Sequence, residues 1–223
     1  MPTINVNRQG TATGAVSSNF NTARTSAAGS VNDGDTSSSI HVQYFHSASR
    51  GGLTKRFKRV FLHFDTSSIT GTLSAAHIDI DGHSASSDPN DTIMIKSTAF
   101  GGDGGTALAT SDFYSSLDYS TAYSTELTSW STGNNEYTLT AAALADIKNN
   151  DNFTLAIIEH DSDYTNSDQT NVSDVSINLG ATITLDYTLA LTAYGNNVNG
   201  VAAASISKIN GIATASIEKV NGI

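Results

Sequence analysis

The chain has no cysteine and only two prolines among its 223 residues. Without cysteine there is no disulfide framework, no thiolate metal site and no cysteine nucleophile. Charge is scarce as well. Asp, Glu, Lys and Arg make up 14% of the chain, with 11 bases against 21 acids and a formal net charge of −10. Such an acidic balance argues against a nucleic-acid binder, which needs clustered Lys and Arg to displace phosphate counterions. So low a charged fraction does not suit a cytosolic helical enzyme rich in Glu, Lys and Leu. Long apolar runs are also missing, and nothing approaches the roughly 20 residues of a membrane helix. The start, Met1-Pro2-Thr3-Ile4-Asn5-Val6-Asn7-Arg8, lacks the basic end and apolar centre of a secretory signal. An external location would then follow from a leader removed beforehand, or from release in a virus particle on lysis. The initiating Met favours the second, and the expected localisation is a virion or the extracellular space.

What is abundant is Ser, Thr, Asn and Gly, interleaved with β-branched and aromatic residues. That mixture points to an all-β protein exposed on a surface. Residues 1–38 are polar and almost without periodicity, apart from a short strand at Thr3–Asn7, and read as an extended N-terminal arm that needs a partner surface. Residues 39–191 carry the β signal. Ile40–His46 and Ala76–Asp81 alternate apolar and polar side chains, and Arg56–Asp65 holds an apolar run short enough for a buried strand. Thr92–Phe100, Glu136–Thr140, Phe153–Glu159, Val172–Leu179 and Ala181–Thr188 complete about eight strands with turn-rich separators, as in a single β-sandwich. Two short helices are expected, at Ser111–Tyr119 and at Thr140–Lys148, the latter capped by Thr140 with Ala141, Leu144 and Ile147 on one face.

Within that region, Lys58-Arg-Val-Phe-Leu-His-Phe-Asp-Thr-Ser-Ser-Ile69 is followed by Leu73-Ser-Ala-Ala-His-Ile-Asp-Ile80. Further on, Leu139-Thr-Ala-Ala-Ala-Leu-Ala-Asp-Ile147 precedes Asn152-Phe-Thr-Leu-Ala-Ile157. These segments resemble DNRLRE-type domains, over about residues 30–190. The resemblance implies a jelly-roll β-sandwich related to carbohydrate-binding and surface modules of secreted proteins. Asp65 and Ser67 in the Phe-Asp-x-Ser motif are expected to satisfy turn backbone groups rather than to do chemistry.

Residues 192–223 differ from the rest. Val198-Asn-Gly-Val-Ala-Ala-Ala-Ser-Ile-Ser-Lys208 is followed by Ile209-Asn-Gly-Ile-Ala-Thr-Ala-Ser-Ile-Glu-Lys219 and Val220-Asn-Gly-Ile223, an eleven-residue repeat. An eleven-residue period suits a right-handed helical supercoil, but Asn-Gly in each copy breaks helices and favours tight turns. Short strands joined at Asn-Gly are therefore expected. So short a segment cannot bury its own Val198, Val201, Ile206, Ile209, Ile212, Ile217, Val220 and Ile223, and repeats of this size need stacked neighbours. Other chains would supply them, giving a homo-oligomer such as a trimer. This tail also resembles the ends of structural proteins of tailed bacteriophages, especially marine ones. The resemblance implies a virion component that contacts other particle proteins.

Chemistry is sparsely signalled. His77-Ile-Asp-Ile-Asp-Gly-His83 places His77, Asp79 and Asp81 on one strand face, a pattern that suits a divalent ion. Same-face neighbours stand about 7 Å apart along a strand, too far to converge, so the solvent-facing side of a half-buried strand is the preferred reading. Asp33, Asp35, Asp161, Asp163 and Asp168 lie in loops that offer hard oxygen ligands for Ca²⁺, with turn capping as the default. Five of the eleven bases fall within Arg50–Arg59 (Arg50, Lys55, Arg56, Lys58 and Arg59), either a basic edge for an acidic neighbour or a solvated strand. Tyr119, Tyr123, Trp130 and Tyr164 are candidates for a sugar-stacking platform, with Trp130 and Tyr123 the chosen glycan contacts and core packing the competing role. No Gly-x-Ser-x-Gly elbow, phosphate loop or zincin helix is present, and no catalytic residue or cofactor is assigned. The sequence thus reads as a non-enzymatic virion structural protein, such as a decoration, fibre or tail component. The alternative is a carbohydrate-binding or adhesion module. Neither nucleic acid nor membrane is an expected partner.

Overall fold

A computed structural model describes residues 2–85 and 90–189, and the backbone of two short strands at 208–209 and 212–213. Contacts divide the chain into two units, Met1–Thr188 and Leu189–Ile223. The first unit is all-β. Its strands are β1 (Thr3–Asn5), β2 (Arg8–Gly14), β3 (Ala28–Asp33), β4 (Ile40–Ser49), β5 (Gly52–Asp65), β6 (Leu73–Ala85), β7 (Thr92–Ser97), β8 (Leu117–Ala122), β9 (Gly133–Thr138), β10 (Asn152–Glu159), β11 (Ser173–Ile177) and β12 (Thr184–Leu189). They run in the order β1-β12-β6-β11-β4-β5-β10-β7-β8, with β2 joining β3 to β5 and β9 pairing with β6. Among the described residues three α-helices, α1 (Phe20–Thr25), α2 (Asp112–Ser115) and α3 (Ala141–Asn149), lie between them, with a short 3-10 turn at Ala99–Gly101 and a π-helical turn at His160–Tyr164. No helix among the described residues is long and apolar enough to cross a membrane.

The long strand β5 turns this continuous sheet into a sandwich. Lys58 is in register with Gln43 of β4 and with Thr13 of β2, so those strands lie on opposite edges of β5. Phe61 is in register with Ala156 of β10 and with Gly10 of β2, so these two are also on opposite edges. β4 and β10 therefore follow one another along the same edge, and β5 passes from one layer into the other. Val60, Leu62 and Phe64 enter a core with Ile78 and Ile80 of β6, Val175 and Ile177 of β11, and Ala143 and Ile147 of α3. Their neighbours Phe57 and Phe61 face the other way. They pack with Tyr44, Ile95 and Ile158 under Phe20 and Ala23 of α1, Phe113 of α2 and Phe100. Burial on both faces explains why Val60-Phe61-Leu62 reads as an uninterrupted apolar run.

The expected class, an all-β sandwich, is what these residues form, but residues 1–38 are not an arm. β1 pairs with β12, β2 inserts between β5 and β3, and α1 closes the second core. The surface those residues needed is on the same chain. Their polarity conceals this because close approach demands small side chains. A Cβ on Gly10 would stand 2.9 Å from the Asn32 carbonyl, and one on Gly14 2.6 Å from the Phe113 ring. Helix α1 starts at Asn19, whose Oδ1 accepts from Thr22 N at 3.0 Å, and buries Phe20, Ala23 and Arg24 at helical spacing.

The helix expected over Ser111–Tyr119 is confined to Asp112–Ser115, because Leu117–Ala122 extends along β7 as an edge strand. The other helix is found nearly as expected. It spans Ala141–Asn149, capped by Thr140 Oγ1 on Ala143 N. In the second unit, β13 (Lys208–Ile209) pairs antiparallel with β14 (Ile212–Ala213), with Ile209 opposite Ile212 across Asn210-Gly211. The described residues of the repeat are thus paired as short strands and not as a helix. Val198, Val201, Ile206, Ile217, Val220 and Ile223 lie outside the described residues.

Candidate functional site

Strand β6 lies between β12 and β9, and the three carry one mixed cluster. His77 Nε2 is 3.6 Å from Asp79 Oδ2, 3.7 Å from Asp186 Oδ2 on β12 and 3.9 Å from Glu136 Oε2 on β9. All four side chains keep part of their surface in solvent. Asp79 stands directly opposite Glu136 in the ladder, a like-charge pair that costs stability unless a cation lies between. Each Asp uses its other oxygen in a hydrogen bond. Asn134 Nδ2 donates to Asp79 Oδ1 at 2.8 Å, and Thr3 Oγ1 donates to Asp186 Oδ1.

The expected face is thus only half used. His77 and Asp79 take part, but Asp81 accepts from Asn178 Nδ2 at 2.8 Å, and His83 is exposed near the end of β6. His77 and Asp79 converge to 3.6 Å despite the 7 Å spacing along the strand, because their side chains lean together, and adjacent strands, about 4.8 Å apart, supply the other two partners. Glu136 and Asp186 escaped the sequence reading because nothing in it places β9 and β12 beside β6.

A second group surrounds His160. Its Nδ1 is 2.9 Å from Glu126 Oε1 and 3.1 Å from Asp161 Oδ1, and its ring stacks on Tyr164 at 5.5 Å. Here Nδ1 is hydrogen-bonded to Asp161, with Glu126 at ion-pair distance from the same nitrogen.

The other loop acids proposed for calcium are occupied by protein donors. Asp33 accepts from Arg8 Nη2 at 2.8 Å and from Leu108 N at 3.2 Å. Asp35 caps Ser37 N and accepts from Thr11, and Asp168 pairs with Lys55 and Tyr44. Asp65 Oδ1 accepts from both Ser67 N and Ser67 Oγ, the turn role expected of the Phe-Asp-x-Ser motif.

Asp163 is buried, with both oxygens committed to Arg59. Nε donates to Oδ2 at 2.6 Å and Nη2 to Oδ1 at 2.7 Å, while Tyr119 donates to Oδ1 at 2.8 Å. Arg24 lies over the Tyr119 ring, 4.1 Å from its centroid, and donates to the Asp163 carbonyl at 2.8 Å.

Those contacts also correct the other two expectations. The bases of Arg50–Arg59 do not form a continuous edge, since Arg59 and Lys55 are buried against acids of their own chain. No aromatic platform forms either. Tyr123 is buried and its hydroxyl donates to Asp146, while Trp130 packs half-buried against the first core. Tyr119 belongs to the Asp163 network, and Tyr164 to the His160 stack.

Next to Asp163, Glu159 accepts from Ser162 N at 2.8 Å and Asp163 N at 2.9 Å. Burial pushes its carboxyl up to about 7, with the nearby Asp163 and Asp161 charges adding to the effect against those two hydrogen bonds. The folded state therefore holds a proton that the unfolded chain releases near its ordinary value of 4.5. The sign follows: from pH 4.5 to 7 this group lowers stability as pH rises, by at most about 1.4 kcal/mol per pH unit. Urea denaturation across that range will show Glu159→Gln removing this downward slope while leaving stability at pH 4 nearly unchanged.

No protein-family model matches the chain, and no curated protein is similar to it in sequence.

Proposed function

We propose that the protein is a non-enzymatic structural component of a virus particle, with a jelly-roll-type body that assembles through the repeat at its C-terminal end. The observation that carries this reading is the eleven-residue repeat, where β13, at the junction of two copies, pairs with β14. An isolated two-stranded hairpin is at best marginally stable in water, and repeats of this kind gain stability by stacking on one another. The body supports the same division of labour. Among its described residues only Val16 and Leu53 are large, apolar and exposed, so its surface offers little apolar area for assembly. Residues 1–38 are already part of the sheet, which leaves the repeat as the assembly device. The carbohydrate-binding alternative loses its motivation, because Tyr123 is inside the body and Trp130 is packed against it.

Sedimentation of the full chain tests the assembly step. The wild-type protein is expected to form a discrete homo-oligomer, a trimer being the expected size, and Ile209→Asp with Ile217→Asp is expected to give a monomer with an unchanged β-sheet spectrum. A wild-type chain that stays monomeric at high concentration overturns it. The particle assignment is tested separately, by finding the chain in stoichiometric amounts in purified particles.

A further inference from the structure

We infer that His77, Asp79 and Glu136 form a binding site for a divalent transition-metal ion of the zinc class, bridging strands β6 and β9, with Asp186 of β12 beside the imidazole. Distance is the first argument. Zinc holds nitrogen at about 2.0–2.1 Å and carboxylate oxygen at about 2.0–2.2 Å, which puts tetrahedral ligand atoms about 3.4 Å apart. The separations from Nε2 are 3.6, 3.7 and 3.9 Å, within a few tenths of an ångström of that value and beyond an ordinary hydrogen bond. The ligand atoms of His77, Asp79 and Glu136 also lie within 4.8 Å of one another. The His160 group differs in this respect, since its separations are shorter and one of them is a direct hydrogen bond.

Orientation is the second argument. Asn134 occupies one oxygen of Asp79 and leaves the other facing Nε2, while Thr3 holds Asp186 Oδ1 and Thr184 Oγ1 donates to its Oδ2 at 3.4 Å. Outer groups that fix a carboxylate in this way characterise metal sites, where they orient the ligands before the ion arrives. Charge is the third. Three carboxylates share one imidazole, and two of them face each other across the β6–β9 ladder. A dication there converts a repulsive arrangement into an attractive one. One nitrogen among oxygen donors selects zinc or a similar ion over Ca²⁺, which takes six to eight oxygens. The site belongs to the body and does not depend on assembly.

Titration calorimetry of the tag-free full chain, stripped with EDTA and titrated with Zn²⁺ at pH 7.5, tests the proposal. One saturable equivalent is expected, and His77→Ala should weaken it by at least tenfold. Asp79→Asn should do likewise. Asn134→Ala, which spares every ligand, is expected to weaken binding roughly tenfold, and His160→Ala to leave it unchanged. The residues are partly exposed, so circular dichroism should show folded variants. Absence of saturable binding overturns the proposal, as does binding that survives His77→Ala or disappears with His160→Ala.

Discussion

Asp163→Ala is expected to lower the unfolding free energy by about 3–5 kcal/mol, read from urea denaturation at neutral pH. The reason lies in what the substitution leaves behind. Arg59 is fully buried, and two of its donors end on the Asp163 carboxylate. Its other contacts include the main-chain carbonyls of Phe113 and Arg24 and the rings of Phe113 and Phe57, 3.9 and 5.7 Å from the guanidinium. None of these carries a full negative charge. Without Asp163 a cation that cannot lose its proton stays in a dry site, and Arg24 loses the same partner. Replacing both charges tests the explanation rather than the position. Arg59→Met with Asp163→Leu should recover the part of the loss that Arg59 causes, because a buried ion pair is worth little more than well-packed apolar groups of similar volume, while Arg24 and Tyr119 still lack their acceptor. A single-variant cost below 1 kcal/mol, or a double variant as unstable as the sum of the two singles, would sink this account.

Arg59 also marks where the sequence misleads. On β5 it sits between Lys58 and Val60 and counts as one more base in a cluster, yet it is the largest fully buried side chain among the described residues. Its acid lies 104 positions along the chain, and no local pattern announces a pairing at that distance. The same holds for His77. Its alternation with Ile78 and Ile80 is legible and puts the isoleucines in the core, but Glu136 and Asp186 become its neighbours only through the sheet order. Signals contained within one element transferred well. Thr140 as a cap and Asp65 with Ser67 as a turn each depend on a few consecutive residues. Residues 1–38 failed for the opposite reason. Hydropathy rewards bulk, whereas β2 reaches β5 and β3 by having none at Gly10, Ala12 and Gly14.

That close approach gives adjacent positions on β5 an unusual property. Phe61→Ala is expected to cost about 3–5 kcal/mol and Leu62→Ala about 2–5 kcal/mol. In a strand with one solvated face, neighbouring residues point to opposite sides and only one of the two is sensitive. Here Leu62 belongs to the core between the layers, while Phe61 belongs to the core beneath α1, and neither is exposed. Phe61 should lie at the upper end of its range, because its ladder neighbours are Gly10 on one side and Ala156 on the other. Neither has a side chain that can move into the space a lost ring would leave. Leu62 has Leu155 opposite it, which permits some repacking. Leu53, exposed on the same strand, supplies the control, and its replacement by Ala should change stability by no more than about 0.5 kcal/mol. Chemical denaturation of the three variants decides the matter. If either Phe61→Ala or Leu62→Ala behaves like Leu53→Ala, one face of β5 is open to water, and if it is Phe61→Ala, the second core beneath α1 does not hold the N-terminal residues in place.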